Sequence, residues 1–208
     1  MKVVAIIPAR LKSSRLPGKP LIKINKKTMI EHCFHLANKS EIINKTIVAT
    51  CDKKINNFLK SVNIPYITTS INHKRATTRT SEALKKIEKK LNTQFDIIIM
   101  VQGDHPYVSR NIFNRILKEF DDKKVQIVNV ASIINKPKDI NDKNNVKVIT
   151  NNLNDAIYFS REPIPSKWNN KEKIDYLMQT GIIAFRKNQL AKFNSSSPTR
   201  LEKIESID

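Results

Sequence analysis

Glycine is nearly missing from this chain. At an average usage of about 7%, a protein this long carries roughly 15, and this one has three among 208 residues: Gly18, Gly103 and Gly181. So few glycines leave neither a GxGxxG dinucleotide turn nor a GxxxxGK[ST] phosphate loop. Cysteine is as thin. Cys33 and Cys51 make no disulfide framework, and with the histidines at 32, 35, 73 and 105 they give no metal-ligand spacing. No apolar run approaches the roughly 20 residues of a membrane span, and the stretch 1–7 is closed by Pro8 and Arg10, so a cytoplasmic protein without a signal peptide is expected. Acidic residues are outnumbered two to one, 19 against 38 basic, which leaves a net charge of +19.

Such a charge is the electrostatic footprint of nucleic-acid binders and also suits anionic substrates. Composition offers a plainer account: Lys (29), Ile (30) and Asn (22) fill 81 positions, as an AT-rich coding bias produces. The lysines come as scattered doublets such as Lys26-Lys27 and Lys89-Lys90, without a basic tract interleaved with aromatics, so no nucleic-acid partner is expected. With 39% hydrophobic residues in regular blocks, the chain has the material for a packed core and is not a disordered polycation.

Short Val/Ile blocks alternate with longer blocks of helical period, the pattern of βα units around a mostly parallel sheet. Strands are expected at 2–7, 45–50, 64–68, 95–101, 126–134, 146–150, 155–159 and 181–186. Helices are expected at 28–39 with Thr28 as cap and Glu31 three residues on, at 52–62 after Asp52, at 78–91, at 109–120 capped by Ser109, and at 199–208. The polar stretch 135–145 reads as a surface excursion, a small antiparallel subdomain or oligomer arm. No repeat or linker splits the chain, so one domain over 1–208 is expected; its end inside a helix-like segment predicts a natural chain that continues.

Under so strong a bias, each remaining glycine is expected to mark a backbone conformation or close approach that side chains forbid. Gly18 closes PARLKSSRLPGKP at 8–20, a loop leaving the carboxyl end of the first strand with Arg10, Lys12, Arg15 and Lys19. Open α/β sheets bind ligands there, and this density of cations suits a polyphosphate. Gly103 lies in VQGDHP at 101–106, after the most hydrophobic strand, where Asp104 is placed to hold a hard cation such as Mg²⁺; a turn cap is the plain alternative. Gly181 follows Gln179 and Thr180 at a strand start of little diagnostic value. His32 and His35 read as capping or surface residues, and Cys51 as packing. Tyr158 and Phe159 read as strand core, with Ser160 and Arg161 open to either a structural or a sugar-facing role.

In this order the strings IIPAR…SSRLPGKPL at 6–21, MIEH at 29–32, IVATCD at 47–52, VQGDHP, NVKV at 145–148, AIYFSREPIP at 156–165, TGIIAFR at 180–186 and LEKIE at 201–205 resemble the 3-deoxy-manno-octulosonate (KDO) cytidylyltransferases. The resemblance implies a three-layer, Rossmann-like sugar nucleotidyltransferase fold with a mostly parallel central sheet and a small antiparallel excursion. It implies a cytoplasmic homodimer that joins CTP to a 3-deoxy sugar acid with Mg²⁺, releasing pyrophosphate, for lipopolysaccharide synthesis. Carried over by position, Pro8, Ala9 and Arg10 face the nucleotide, Arg15 and Lys19 the triphosphate, and Thr77 the nucleotide. Gln102 lies between nucleotide and sugar, Asp104 ligates the metal, Arg79 pairs with the sugar carboxylate, and Gln179 and Glu202 contact hydroxyls. Arg10, Lys19 and Asp104 form the implied catalytic set.

Three departures accompany the resemblance. The family's Ser-Gly-Thr-acidic-Arg run stands here as Arg75-Ala76-Thr77-Thr78-Arg79, keeping only Thr77 and Arg79. Gln179 occupies a position often held by His, so another sugar acid, an 8-amino KDO analogue or a nonulosonate, stays open beside KDO, as does a catalytically impaired paralogue. The family's second metal-binding Asp lies beyond the last residue of this sequence, and weaker metal binding is expected of this chain alone.

Overall fold

The computed structural model describes residues 1–12, 16–103, 109, 111–168 and 174–207. In chain order the elements are β1 (Val3–Ala9), a 3-10 turn (Lys19–Leu21), β2 (Lys23–Ile24), β3 (Lys27–Thr28), α1 (Met29–Asn38), β4 (Lys45–Thr50), α2 (Lys53–Ser61), β5 (Tyr66–Thr68), α3 (Ala76–Leu91) and β6 (Ile97–Val101). There follow α4 (Ile112–Glu119), β7 (Ile127–Ile133), α5 (Pro137–Ile140), β8 (Lys147–Thr150), β9 (Ala156–Ser160), β10 (Leu177–Arg186), α6 (Lys187–Ser195) and α7 (Arg200–Glu205). The strand order is β5-β4-β1-β6-β10-β8-β9, with β7 paired to β10. Two compact units carry it, one of 1–128 with 181–196, the other of 129–180 with 197–208.

In the first unit β5, β4, β1 and β6 run parallel, and the 181–186 part of β10 pairs antiparallel with β6. The middle strands are buried along their length, which is why their sequences are near-continuous hydrophobic runs rather than alternations. Val4, Ile6, Ile98, Met100 and Phe185 pack against Ala83, Leu84 and Ile87 of α3 and Leu190 of α6. Helix α1 opens on the expected capping box: Glu31 N–H donates to Thr28 Oγ1, and Thr28 N–H to Glu31 Oε2. Glu88, buried on α3, accepts from Phe95 N–H at 2.9 Å and pairs with Lys187 at 2.9 Å, tying the α3–β6 turn to α6.

In the second unit β8 and β9 pair antiparallel, and β10 joins β8 through Leu177 and Met178. Lys147 is completely buried; its Nζ donates to the carbonyls of Asp142, Asn145 and Arg161, and burial lowers its pKa. Glu205, at the end of α7, accepts from Tyr158 Oη at 2.8 Å, Ser160 Oγ at 2.9 Å and Arg161 N–H at 2.8 Å. Arg161 returns two bonds, to the carbonyls of Glu205 and Ser206. Ser160 and Arg161, left open between two roles, thus fasten α7 to β9.

The sheet is more antiparallel than expected. Strand β10 begins at Leu177 rather than at residue 181 and enters the sheet against the direction of β6. Polar residues at its start hid it: Thr180 Oγ1 is satisfied by the Val130 carbonyl at 2.9 Å, so that polarity is compatible with a buried strand. The excursion at 135–145 holds one helical turn, α5, and no strand. The expected helix at 109–120 starts later, at Ile112, with Asn111 as N-cap and the Ser109 carbonyl accepting from Ile112 N–H. No helix among the described residues is long and apolar enough to cross a membrane.

Candidate active site

Strand β1 has β4 on one side and β6 on the other, so the chain's first crossover goes one way and a later one the opposite way. The β1/β6 boundary is therefore the topological switch point, and the carboxyl ends of the strands beside it are where such sheets take ligands. The pairing itself parts there. β1 stays with β4 as far as Ala9↔Thr50, whereas its pairing with β6 ends at Ile6↔Met100. Pro8, which has no N–H to offer a ladder, occupies the position where β6 has withdrawn.

The loop after β1 is fixed at its base. Leu11 N–H donates to Asp52 Oδ2 at 2.9 Å, and Gly18 N–H donates to the Leu11 carbonyl at 3.0 Å. Gly18 has φ +75°, the left-handed conformation expected of it, and starts the 3-10 turn containing Lys19. Pro8 and Ala9 are buried at the strand end and Arg10 is exposed beyond them. Asp52 sits at the N-cap of α2, yet its side chain makes no capping bond; its carboxylate accepts from Leu11 N–H at the base of the cationic loop. Arg15 and Asp104 lie outside the described residues.

At the end of β6, Gln102 N–H donates to the Gly181 carbonyl at 3.1 Å, and the Gln102 carbonyl lies 3.7 Å from Cys33 Sγ. Gly181 has φ +76°, so this glycine too is there for its backbone. Gly103 differs. A Cβ built on it meets only the Pro8 carbonyl at 3.6 Å and Ile7 Cγ2 at 3.8 Å, ordinary contact distances. Those distances set Gly103 against the end of β1, and among the described residues nothing there forbids a side chain.

The start of α3 brings Thr77 and Arg79 into the same unit. Thr77 is buried, and its Oγ1 has no hydrogen-bond partner among the described residues. Arg79 is only 3% exposed. Its Nη1 donates to Thr69 Oγ1 and, at 3.3 Å, to the Ser70 carbonyl. No carboxylate among the described residues pairs with it. A buried guanidinium normally has an anionic partner, because its desolvation costs several kcal/mol; among the described residues Arg79 is held by neutral acceptors. Neighbouring Glu82 is engaged elsewhere, by Ser70 N–H at 2.9 Å, by His73 Nε2 and by Lys86 Nζ at 2.7 Å. Burial works to raise the Glu82 pKa, but the hydrogen bonds from Lys86, Ser70 and His73 outweigh it and hold the pKa down at about 2. Asp52, His73 and Glu82 were not singled out from sequence as site residues; only the Asp in IVATCD carried a signal.

In the second unit Gln179 lies on β10, its N–H bonded to the Val146 carbonyl. Glu202 is the third residue of α7 and closes a capping box with Thr199. His32 Nε2 lies 2.7 Å from the Ile24 carbonyl, which gives it a structural role beside the β2–β3 turn.

A doubly wound sheet, a cation-bearing loop at its switch point, and a buried arginine with no carboxylate partner among the described residues are features of the nucleotide-binding class of α/β folds. Comparison with known proteins narrows the class. The profile of a family described as Cytidylyltransferase matches residues 4–208. The 3-deoxy-manno-octulosonate cytidylyltransferase of Christiangramia forsetii is 33% identical over 210 residues, covering 100% of this chain and 82% of that protein. That of Fusobacterium nucleatum is 35% identical over 209 residues, covering 100% and 82%. A solved structure of CMP:2-keto-3-deoxy-manno-octonic acid synthetase complexed with CTP superposes with a TM-score of 0.87 at 33% identity, covering 99% of this chain and 83% of that one. The chain belongs to the KDO cytidylyltransferase family. More distant structures, such as a 4-diphosphocytidyl-2C-methyl-D-erythritol synthase at TM-score 0.59 and 14% identity, share the fold alone.

Proposed function

We propose that this chain transfers CMP from CTP to KDO, giving CMP-KDO and pyrophosphate for lipopolysaccharide synthesis in the cytoplasm, and that it works as a homodimer. The anomeric hydroxyl of the sugar acid attacks the α-phosphorus of CTP. A new P–O bond forms, the bond to the bridging oxygen breaks with pyrophosphate as leaving group, and the hydroxyl proton passes to solvent. Such chemistry needs in-line positioning and charge stabilisation more than covalent help. Pro8, Ala9, Arg10 and Thr77 face the nucleotide, Arg15 and Lys19 bind its phosphates, and Gln102 contacts nucleotide and sugar. Asp104 supplies the hard oxygen donor suited to Mg²⁺, which neutralises phosphate charge when bound. Gln179 and Glu202 take sugar hydroxyls.

The observation that carries the sugar-acid reading is Arg79, buried and without a carboxylate partner among the described residues. A planar fork suits one carboxylate bound bidentately. The test is pyrophosphate release with Mg²⁺, CTP and KDO, with ATP, GTP and UTP as controls. Release that requires both CTP and KDO supports the reading; equal release with any nucleotide, or none with any sugar acid, refutes it. A second reading keeps the reaction and changes the acid to an 8-amino KDO analogue or a nonulosonate. It is favoured by Gln179 and by the altered residues 75–78, and the same assay with those acids separates the two.

A further inference from the structure

Arg79 and Glu82 stand three residues apart on α3, the spacing at which an arginine and a carboxylate pair across one helical turn. They do not pair. Three donors hold Glu82: Ser70 N–H and Lys86 Nζ at 2.9 and 2.7 Å, and His73 Nε2. Each donor is fixed in turn. Lys86 Nζ also donates to the Thr68 carbonyl at 2.8 Å. His73 Nδ1 lies 3.1 Å from Thr78 Oγ1, and that hydroxyl donates to the Arg75 carbonyl at 3.0 Å, so the ring is held from both sides. The net fastens 68–78 onto the first turns of α3. Ser70 is its pivot: its N–H is bound by Glu82 while its carbonyl accepts from Arg79.

We propose that Glu82 is a positioning residue for the sugar-acid subsite: clamped by Ser70, His73 and Lys86, it sets the Ser70 carbonyl that orients Arg79 and is itself kept from neutralising that guanidinium. Arg79 therefore keeps its remaining N–H donors for an incoming carboxylate. The proposal rests on the reading of Arg79 given above and adds the device that keeps this arginine unpaired. It also assigns His73 a role, as the group that draws the carboxylate away from Arg79.

The test compares Glu82→Ala, Glu82→Gln and His73→Ala with the parent chain, measuring KM separately for CTP and for the sugar acid. Glu82→Ala is expected to raise the sugar-acid KM about tenfold, the effect of misplacing one charge-assisted hydrogen bond, with the CTP KM within about twofold. Glu82→Gln keeps an acceptor for Ser70 N–H and recovers part of the loss. His73→Ala releases Glu82 towards Arg79 and raises the sugar-acid KM; adding Glu82→Gln to it relieves that rise, which a merely structural role does not predict. Equal rises in both KM values, or no rise, overturn the proposal. A crystal structure of the Glu82→Gln and Glu82→Ala proteins gives a readout independent of turnover. If Arg79 stays on Thr69 and Ser70 in Glu82→Ala, the proposal fails. If Arg79 moves while the parent turns over no sugar acid, the positioning stands and the substrate reading fails.

Discussion

Replacing Arg79 by Met separates a functional arginine from a structural one. The side chain is 3% exposed and its bonds, both from Nη1, go to the Thr69 hydroxyl and the Ser70 carbonyl. Removing it relieves the desolvation of a buried charge, several kcal/mol. It also forfeits two hydrogen bonds to a charged donor, about 1.5–3 kcal/mol each, and leaves the Ser70 carbonyl short of a partner. The opposing terms are of one size, so stability in urea is expected to stay within about 1 kcal/mol of the parent and Tm within about 4 °C. Activity behaves otherwise. Loss of a carboxylate's buried partner costs about 3–5 kcal/mol, which lowers kcat/KM for the sugar acid by roughly 10²-fold to several thousandfold. Arg79→Lys keeps the charge and loses the fork, and falls between. Urea melts and initial-rate assays on the same preparations decide the matter. A destabilisation of more than about 3 kcal/mol with kcat/KM retained refutes the reasoning, because Arg79 is then a structural bolt.

Asp52→Ala frees Leu11 N–H at the base of the cationic loop, and the CTP KM is expected to rise about tenfold; Asp52→Asn, which preserves an acceptor, stays closer to the parent, and identical effects of the two would shift the explanation to charge. Glu88→Ala strands the Phe95 N–H in the core and removes the carboxylate that pairs with Lys187, for a loss of about 2–3 kcal/mol read from the urea midpoint. The Glu82 carboxyl is depressed from 4.5 to about 2 in the folded protein. Its contribution to stability is complete above pH 4.5 and is lost as pH falls through about 2, because the unfolded chain then binds the proton first. Stability measured from pH 6 to pH 2 is expected to fall less steeply in Glu82→Gln than in the parent; parallel curves contradict that assignment.

Chain order and local chemistry determined much of this protein before any packing was known. The alternation of Val/Ile blocks with helical periods placed β1, β4, β6 and α1 to α3 within a few residues, because buried parallel strands and amphipathic helices each leave a periodic trace that solvent exclusion imposes. The Thr28 and Glu31 capping box was legible for the same reason: its partners are three residues apart. Gly18 and Gly181 were legible because a left-handed φ strongly favours glycine, whereas Gly103 carried no such constraint. Only the tertiary structure decided the rest. The start of β10 was hidden because Thr180 meets the Val130 carbonyl, fifty residues away in sequence. The hydrogen bond from Leu11 N–H to Asp52 was not legible because its partners lie 41 residues apart. The resemblance singled out Arg79, but its burial, the absence of a carboxylate partner among the described residues and the hydrogen bonds on Glu82 depend on how Ser70, His73 and Lys86 converge in space. Hydrogen bonds between distant residues leave no period in the sequence, and they set which charges stay paired and which stay open to a ligand.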